Sequence, residues 1–224
     1  MRKIETGNPK FFYFVSGENP KLLIHSGTHG DEYEVTDFVM EAILKYEKKL
    51  PPFIFVPVVS PSAVERKTRV NESGTDMNRG FFSDSKDPEV QANIEIIKNQ
   101  KFDLFVSFHE DWEFSEYYIY DWGYSKVQNE LVLKHNQWLK NNGIGLFNGI
   151  DDPLDLALGY EFVEGYNKSV HLEKDKDDGV ISDWILNRKI SKEYLLPEIP
   201  QCLSREKKKL IVDSFFSEVI LKMF

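Results

Sequence analysis

Two histidines and a glutamate stand where they could hold one metal ion. The run Leu22-Leu23-Ile24-His25-Ser26-Gly27-Thr28-His29-Gly30-Asp31-Glu32 passes from an apolar stretch into a turn, with a helix-like stretch, Tyr33 to Lys49, behind it. That order puts His29 and Glu32 at the mouth of a strand-to-helix turn, where both side chains can point at one ion. A second apolar run, Phe102-Asp103-Leu104-Phe105-Val106-Ser107-Phe108, delivers His109 in the same way. Two imidazoles and one carboxylate are the ligand set of a catalytic zinc site with an open coordination position. His29 alone would read as a hydrogen-bonded structural histidine, and an H-x-x-E spacing arises by chance. The repetition carries the reading, because ligands of open α/β sheets gather at the carboxyl ends of strands.

The other histidines read differently. His25 competes with His29, but it lies inside the strand and is expected to be a core group or a support for a ligand. His135 and His171 read as surface or packing residues. Glu110 and Asp111 directly follow His109, and one of them could anchor a ligand imidazole; solvated carboxylates are the alternative.

Short apolar runs alternating with amphipathic ones must position these groups. Phe11–Val15 and Leu22–Ile24 read as strands joined by a hairpin-type turn at Ser16-Gly17-Glu18-Asn19-Pro20. Asp31–Lys49 reads as a helix, with Val35, Phe38, Val39, Ala42, Ile43 and Tyr46 on one face. Phe53–Val59 is the next strand, and Ser60–Lys86 a long polar loop of the kind that is more often functional than accidental. Asp87-Pro88-Glu89 has the composition of a helix start. That helix runs to about Asn99 and feeds the strand ending at His109. Tyr117–Tyr120 reads as a strand, Ser125–Asn141 as a helix, and Ile144–Asp178 as irregular. Asp178–Asn187 reads as a short helix, Glu193–Leu196 as a strand, and Ser204–Lys222 as a closing helix. The alternation predicts an α/β fold, a three-layer αβα sandwich with a central mixed, mostly parallel sheet, in a single domain over residues 1–224.

Composition narrows the partners. The 224 residues carry a formal net charge of −9, which argues against nucleic acid, since phosphate binding needs a basic face. A hydrophobic fraction of 41% with 17 Phe, 10 Tyr and 4 Trp is ample for a core. Cys202 is the sole cysteine, so neither an intrachain disulfide nor a cysteine-rich structural zinc site can form. No stretch approaches membrane-spanning length, and the apolar run at Phe11–Val15 is too short for a signal-peptide core. A cytoplasmic location is the expectation; oligomeric state is open.

His29-Gly30-Asp31-Glu32 resembles the first zinc-binding motif of the zinc carboxypeptidases and their succinylglutamate desuccinylase and aspartoacylase relatives. Arg66-Lys67-Thr68-Arg69 and Thr75-Asp76-Met77-Asn78-Arg79-Gly80-Phe81 are similar to that superfamily's arginine segment and its D-x-N-R-x-F motif. Ser107-Phe108-His109-Glu110-Asp111 looks like the segment with the third ligand, and Tyr194-Leu195-Leu196-Pro197-Glu198-Ile199-Pro200 like the strand end with the catalytic glutamate. The segments keep family order across roughly residues 22–200. The resemblance implies one zinc ion on His29, Glu32 and His109, lowering the pKa of its water towards ~7, and Glu198 as general base and then acid. It implies Arg66 beside the oxyanion, with Arg69 as the substitute. Asn78 and Arg79 would bind a substrate carboxylate.

There are departures. Ser60-Pro61 stands where carboxypeptidases have Asn-Pro. Tyr160 and Tyr166 are the only nearby counterparts of the mobile tyrosine of peptide-cleaving members. With Phe224 the last residue of this sequence, the extra C-terminal β domain of aspartoacylase-type enzymes is not expected. The expected function is therefore a carboxypeptidase- or peptide-amidase-like zinc hydrolase, acting on a small peptide beside a free carboxylate. The alternatives are an N-acyl amino acid deacylase, a catalytically inactive zinc- or ligand-binding protein, and a metal-free scaffold. The specificity pocket is expected within Ile144–Asp178, with Asp151, Asp152, Asp155, Tyr160 and Glu164.

Overall fold

A mixed sheet of nine strands sits between two helical layers. The computed structural model describes residues 1–7, 10–154, 159–172, 174 and 176–224. Strands β1 (Arg2–Glu5), β2 (Phe12–Ser16) and β3 (Leu22–His25) come first, then helix α1 (Glu34–Tyr46) and β4 (Phe53–Val56). A short helix α2 (Pro61–Arg66), helix α3 (Pro88–Ile97) and the consecutive strands β5 (Phe102–Ser107) and β6 (His109–Asp111) follow. Then come β7 (Tyr118–Gly123), α4 (Glu130–Asn141), β8 (Gly149–Ile150), β9 (Glu161–Phe162) and β10 (Tyr166–Val170). Helix α5 (Ile181–Asn187), β11 (Ser191–Pro200) and α6 (Arg205–Phe215) complete the order, α6 running on as a π-helical turn. No helix among the described residues is long and apolar enough to cross a membrane.

The sheet order is β1-β2-β4-β3-β5-β11-β7-β10, with β6 beside β11. The central strands β4, β3, β5 and β11 are mutually parallel, whereas β2 against β4 and β7 against β11 are antiparallel. Strands β3 and β4 are buried along their whole length, as expected of central strands covered on both faces. Alternate side chains then serve two cores. Leu22, Ile24, Phe55, Val106 and Leu195 pack under α1, α4 and α6; Leu23, Ile54, Phe105 and Tyr194 pack under α3 and α5.

The structure departs from the sequence pattern in several places. The turn at 16–20 does form, with Gly17 and Asn19 at positive φ, but β2 and β3 are not a hairpin because β4 lies between them. The Ser60–Lys86 segment is not all loop: α2 occupies its start, with Pro61 in its first turn and Lys67 closing it at a φ of 54°. β1 and β10 are not legible as strands in the sequence. Each is an edge strand with one partner, partly exposed, so its residues lack an apolar pattern. α4 starts at Glu130 rather than Ser125, because the Asn129 side chain caps it by accepting from the amides of Leu131 and Val132. Asp87 caps α3 in the same manner.

The His29 turn packs directly on α2. The Gly30 amide donates to the Thr68 carbonyl at 2.9 Å, and a Cβ at Gly30 would stand 1.9 Å from the Ala63 carbonyl oxygen. Backbone fills that space, so no rotamer change relieves the clash. Gly30→Ala is expected to lower stability by about 1–3 kcal/mol in urea unfolding, and to weaken metal retention in the same preparation.

Candidate metal centre and active site

His29 leaves the sheet through a turn that glycine permits. Gly27 adopts a φ of 62°, and the turn is fastened at the end of β4, the Ser26 amide donating to the Val56 carbonyl and the Ser60 amide to that of Gly27. His29 is extended and immediately precedes a 3-10 turn, Gly30–Glu32, which brings Glu32 back beside it. His29 Nδ1 lies 2.5 Å from Glu32 Oε1, and His109 Nδ1 lies 2.8 Å from Glu32 Oε2. All three side chains are buried.

The far nitrogen of each ring is also engaged. His29 Nε2 meets Asp76 Oδ1 at 3.2 Å, and His109 Nε2 meets Ser107 Oγ at 3.1 Å. Such rear contacts fix the orientation of a ligating imidazole, and here they leave both Nδ1 atoms directed at Glu32. One donor atom from each of His29, Glu32 and His109 lies within 4.8 Å of the others, close enough to share an ion. The set of two imidazole nitrogens and one carboxylate fits zinc.

The electrostatics of the group call for a cation. Burial disfavours a charged His29, yet the Glu32 carboxylate and the Asp76 hydrogen bond outweigh it and raise His29 to about 9. Burial would raise Glu32, but His29 and His109 hold it far below the usual carboxylate range. A proton on His29 thus supplies the positive charge that a metal would otherwise bring.

Glu198 enters from β11. It pairs with His109 on one side and Tyr118 on the other, so the three side chains project from one sheet face. At every second pair along β11 and β7 the same face continues, Leu196 beside Tyr120 and Tyr194 beside Trp122. These residues line a cleft of about 590 Å³ together with the metal-site group, Arg69, Asn78, Arg79, Tyr160 and Asp151. Burial, with the carboxylates of Glu32 and Asp111, pushes Glu198 well above the usual range, and Arg69 opposes this.

Of the two arginines expected beside the oxyanion, the structure brings Arg69 to the cleft and leaves Arg66 outside it. Arg66 ends α2 on an exposed face, whereas Arg69 donates through Nε to Asp76 Oδ2 at 3.0 Å and lines the cavity. The positive φ of Lys67 turns the chain between them. Asn78 and Arg79 also line the cavity. Their segment is held by Asp76, which accepts from the Asn78 amide at 2.8 Å, and by the buried side chains of Met77 and Phe81.

The remaining candidates divide between the cleft and the packed interior. His25 is fully buried against Phe105, and burial lowers it to about 3. Neither Glu110 nor Asp111 holds an imidazole: Glu110 bonds Lys208 and the Val35 amide, and Asp111 accepts from the Tyr118 hydroxyl at 2.9 Å. His135 and His171 are packing residues rather than surface ones, meeting Ser214 and Asn187. Tyr166 is committed to Asp121 and the Asn129 amide, away from the cleft, whereas Tyr160 stands in it. Asp151 and Asp152 line the cleft, Glu164 pairs outside it with Lys140, and Asp155 lies outside the described residues.

Sequence reasoning does not single out Asp76 and Ser107, which hold the His29 and His109 rings. Both carry a signal: Asp76 opens the D-x-N-R-x-F motif, two residues before Asn78, and Ser107 stands two before His109, the spacing of one strand face.

The fold is carboxypeptidase-like. Residues 18–112, which include His29, Glu32, Asn78, Arg79 and His109, match the family model of the succinylglutamate desuccinylase/aspartoacylase catalytic domain. No curated protein matches the chain. Among solved structures it is similar to a candidate metallopeptidase from Shewanella baltica, with TM-score 0.72 and 19% identity over 98% of this chain and 83% of that one. A metallo-carboxypeptidase from Burkholderia cenocepacia matches at TM-score 0.63 and 16% identity, covering 95% and 60% of the two chains. A metallo-carboxypeptidase from Pseudomonas aeruginosa, solved in complex with (2-guanidinoethylmercapto)succinic acid, matches at TM-score 0.58 and 14% identity, covering 95% and 60%.

Because His29 carries a proton up to about pH 9 in the metal-free protein, metal and proton compete for it. Falling pH fills the site with protons and weakens binding; above about pH 9 that competition ends. Zinc titration calorimetry at pH 7, in buffers of different ionisation enthalpy, is expected to show release of roughly one proton from this group and ~10-fold weaker affinity per pH unit lowered.

Proposed function

We propose that the protein is a zinc-dependent hydrolase that cleaves an amide bond next to a free carboxylate, by a carboxypeptidase- or peptide-amidase-like reaction. One observation carries this reading: His29, Glu32 and His109 converge, with Glu198 on the adjoining strand facing the same cleft. His29, Glu32 and His109 would hold a single ion. When bound, zinc acidifies water towards neutrality and polarises a carbonyl.

The chain's own groups take the remaining roles. Glu198 in its ionised form, made more basic by burial and by neighbouring carboxylates, accepts a proton from the attacking water. It then returns that proton to the leaving nitrogen. Arg69, steadied by Asp76, stands beside the developing oxyanion in place of Arg66. Asn78 and Arg79 hold the substrate carboxylate, Arg79 through a two-pronged contact. The aromatic row Tyr118, Tyr120 and Trp122 walls the cleft against the rest of the substrate. The metallo-carboxypeptidase names of the similar structures support the peptidase reading.

An N-acyl amino acid deacylase is the second reading, favoured by the family model matched over residues 18–112. Zinc-loaded protein assayed on peptides with free and amidated C-termini, and on N-acyl amino acids, separates the two. Turnover confined to acyl amino acids would replace the first reading with the second. Glu198→Gln is expected to lower kcat by ~10²–10⁴-fold with zinc content unchanged; undiminished activity would overturn Glu198 as the general base. Arg79→Ala is expected to raise KM for substrates with a free carboxylate by ~10–100-fold, while any turnover of amidated substrates stays as it was.

A further inference from the structure

A lysine of the last helix is buried behind the metal-site group. Lys208 on α6 is only 4% exposed, and buried lysines persist only when paired. Its ammonium lies 2.8 Å from Glu110 Oε1 and 2.9 Å from Glu34 Oε2, so it ties α6 to β6 and to the first turn of α1. Glu110 is itself 3% exposed and uses its other oxygen to accept from the Val35 amide at 3.0 Å, one of the otherwise unsatisfied donors at the start of α1. Its backbone amide points at Glu32 Oε2, 3.4 Å away, and it is joined by a peptide bond to His109. Two of the three prospective ligands are therefore one covalent or one hydrogen-bonded step from Glu110, whose side chain is held by Lys208 and the Val35 amide.

We propose that Lys208, through Glu110, is a positioning residue that sets the metal affinity of the His29–Glu32–His109 group. Without its charge, Glu110 is a buried carboxylate beside a second buried carboxylate, Glu32, with no cation to hold it against Val35. The Glu110 side chain then leaves that amide, which shifts its backbone away from Glu32 and displaces the short strand that aims His109. Glu34 is the internal control: it shares the same ammonium, and its hydrogen bonds go to Lys208 and Arg205 rather than to a prospective ligand.

The inference rests on the metal-centre reading, and the test keeps the two apart. Zinc affinity is measured by chelator competition on wild type, Lys208→Met, Glu34→Gln and the double variant Lys208→Met/Glu110→Gln, each verified as folded by circular dichroism. The absorption spectrum of the cobalt-loaded protein reports ligand geometry. Lys208→Met is expected to bind zinc ~10–100-fold more weakly with an altered cobalt spectrum. Glu34→Gln is expected to match wild type in both readouts, and the double variant to fall between wild type and Lys208→Met. Wild-type affinity and spectrum in Lys208→Met would overturn the proposal. If that single variant does not fold, the double variant, which buries no uncompensated charge, decides in its place: weakened zinc binding upholds the proposal and wild-type affinity overturns it. A wild-type protein that binds no zinc would sink the metal-centre reading itself.

Discussion

A single buried carboxylate organises this molecule's site. Glu32 is held between imidazoles from two different chain segments, 2.5 and 2.8 Å away. A buried anion costs several kcal/mol unless its charge is compensated, so the pocket is stable only with positive charge in it. In the metal-free protein a proton on His29 provides that charge, and the same geometry suits a divalent ion. The surrounding contacts follow from this need. Asp76 and Ser107 hold the far ring nitrogens, and Glu110 presents its amide to Glu32. The carboxylates gathered here would repel one another without a cation among them.

The sheet provides the location. β3, β5 and β11 are adjacent and parallel, so their carboxyl ends coincide at one edge. β3 stops at His25, whose carbonyl accepts from the Phe108 amide. Beyond that point the chain continues as β6 paired to β11 only. The separation left beside β6 admits the turn carrying His29 and Glu32. Open α/β sheets place ligands at such divergences because side chains from both flanks can enter without crossing a strand.

The opposite wall of the cleft comes from the antiparallel neighbour, β7. Because β7 runs against β11, its first residue lies beside Glu198, and alternate positions present Tyr118, Tyr120 and Trp122 to the cleft. Tyr118 and Tyr120 donate to Asp111 and Asp151, and burial together with nearby carboxylates keeps both phenols protonated. The cleft lining thus combines an aromatic row with the carboxylates of Asp111 and Asp151, and includes Arg69 and Arg79.

The ligand types, the strand-then-histidine pattern and the αβα layering are legible in the sequence. They rest on local rules: apolar runs long enough to be buried strands, a glycine turn after one of them, and the capping chemistry of Asp87 and Ser204. The hairpin expected at 16–20 fails because strand pairing is a non-local choice, and no residue in β2 or β3 records that β4 will come between them. Edge strands β1 and β10 escape notice for a related reason, since one exposed side removes the hydrophobic signal. The resemblance puts Arg66 ahead of Arg69, yet the left-handed turn at Lys67 sends Arg66 outward and leaves Arg69 at the cleft. Lys208, 98 positions beyond Glu110, is connected to the metal-site group only once α6 has packed on α1. Sequence determines what each side chain can do, whereas the choice of partner belongs to tertiary structure, because burial and charge compensation depend on neighbours that the chain brings together only on folding.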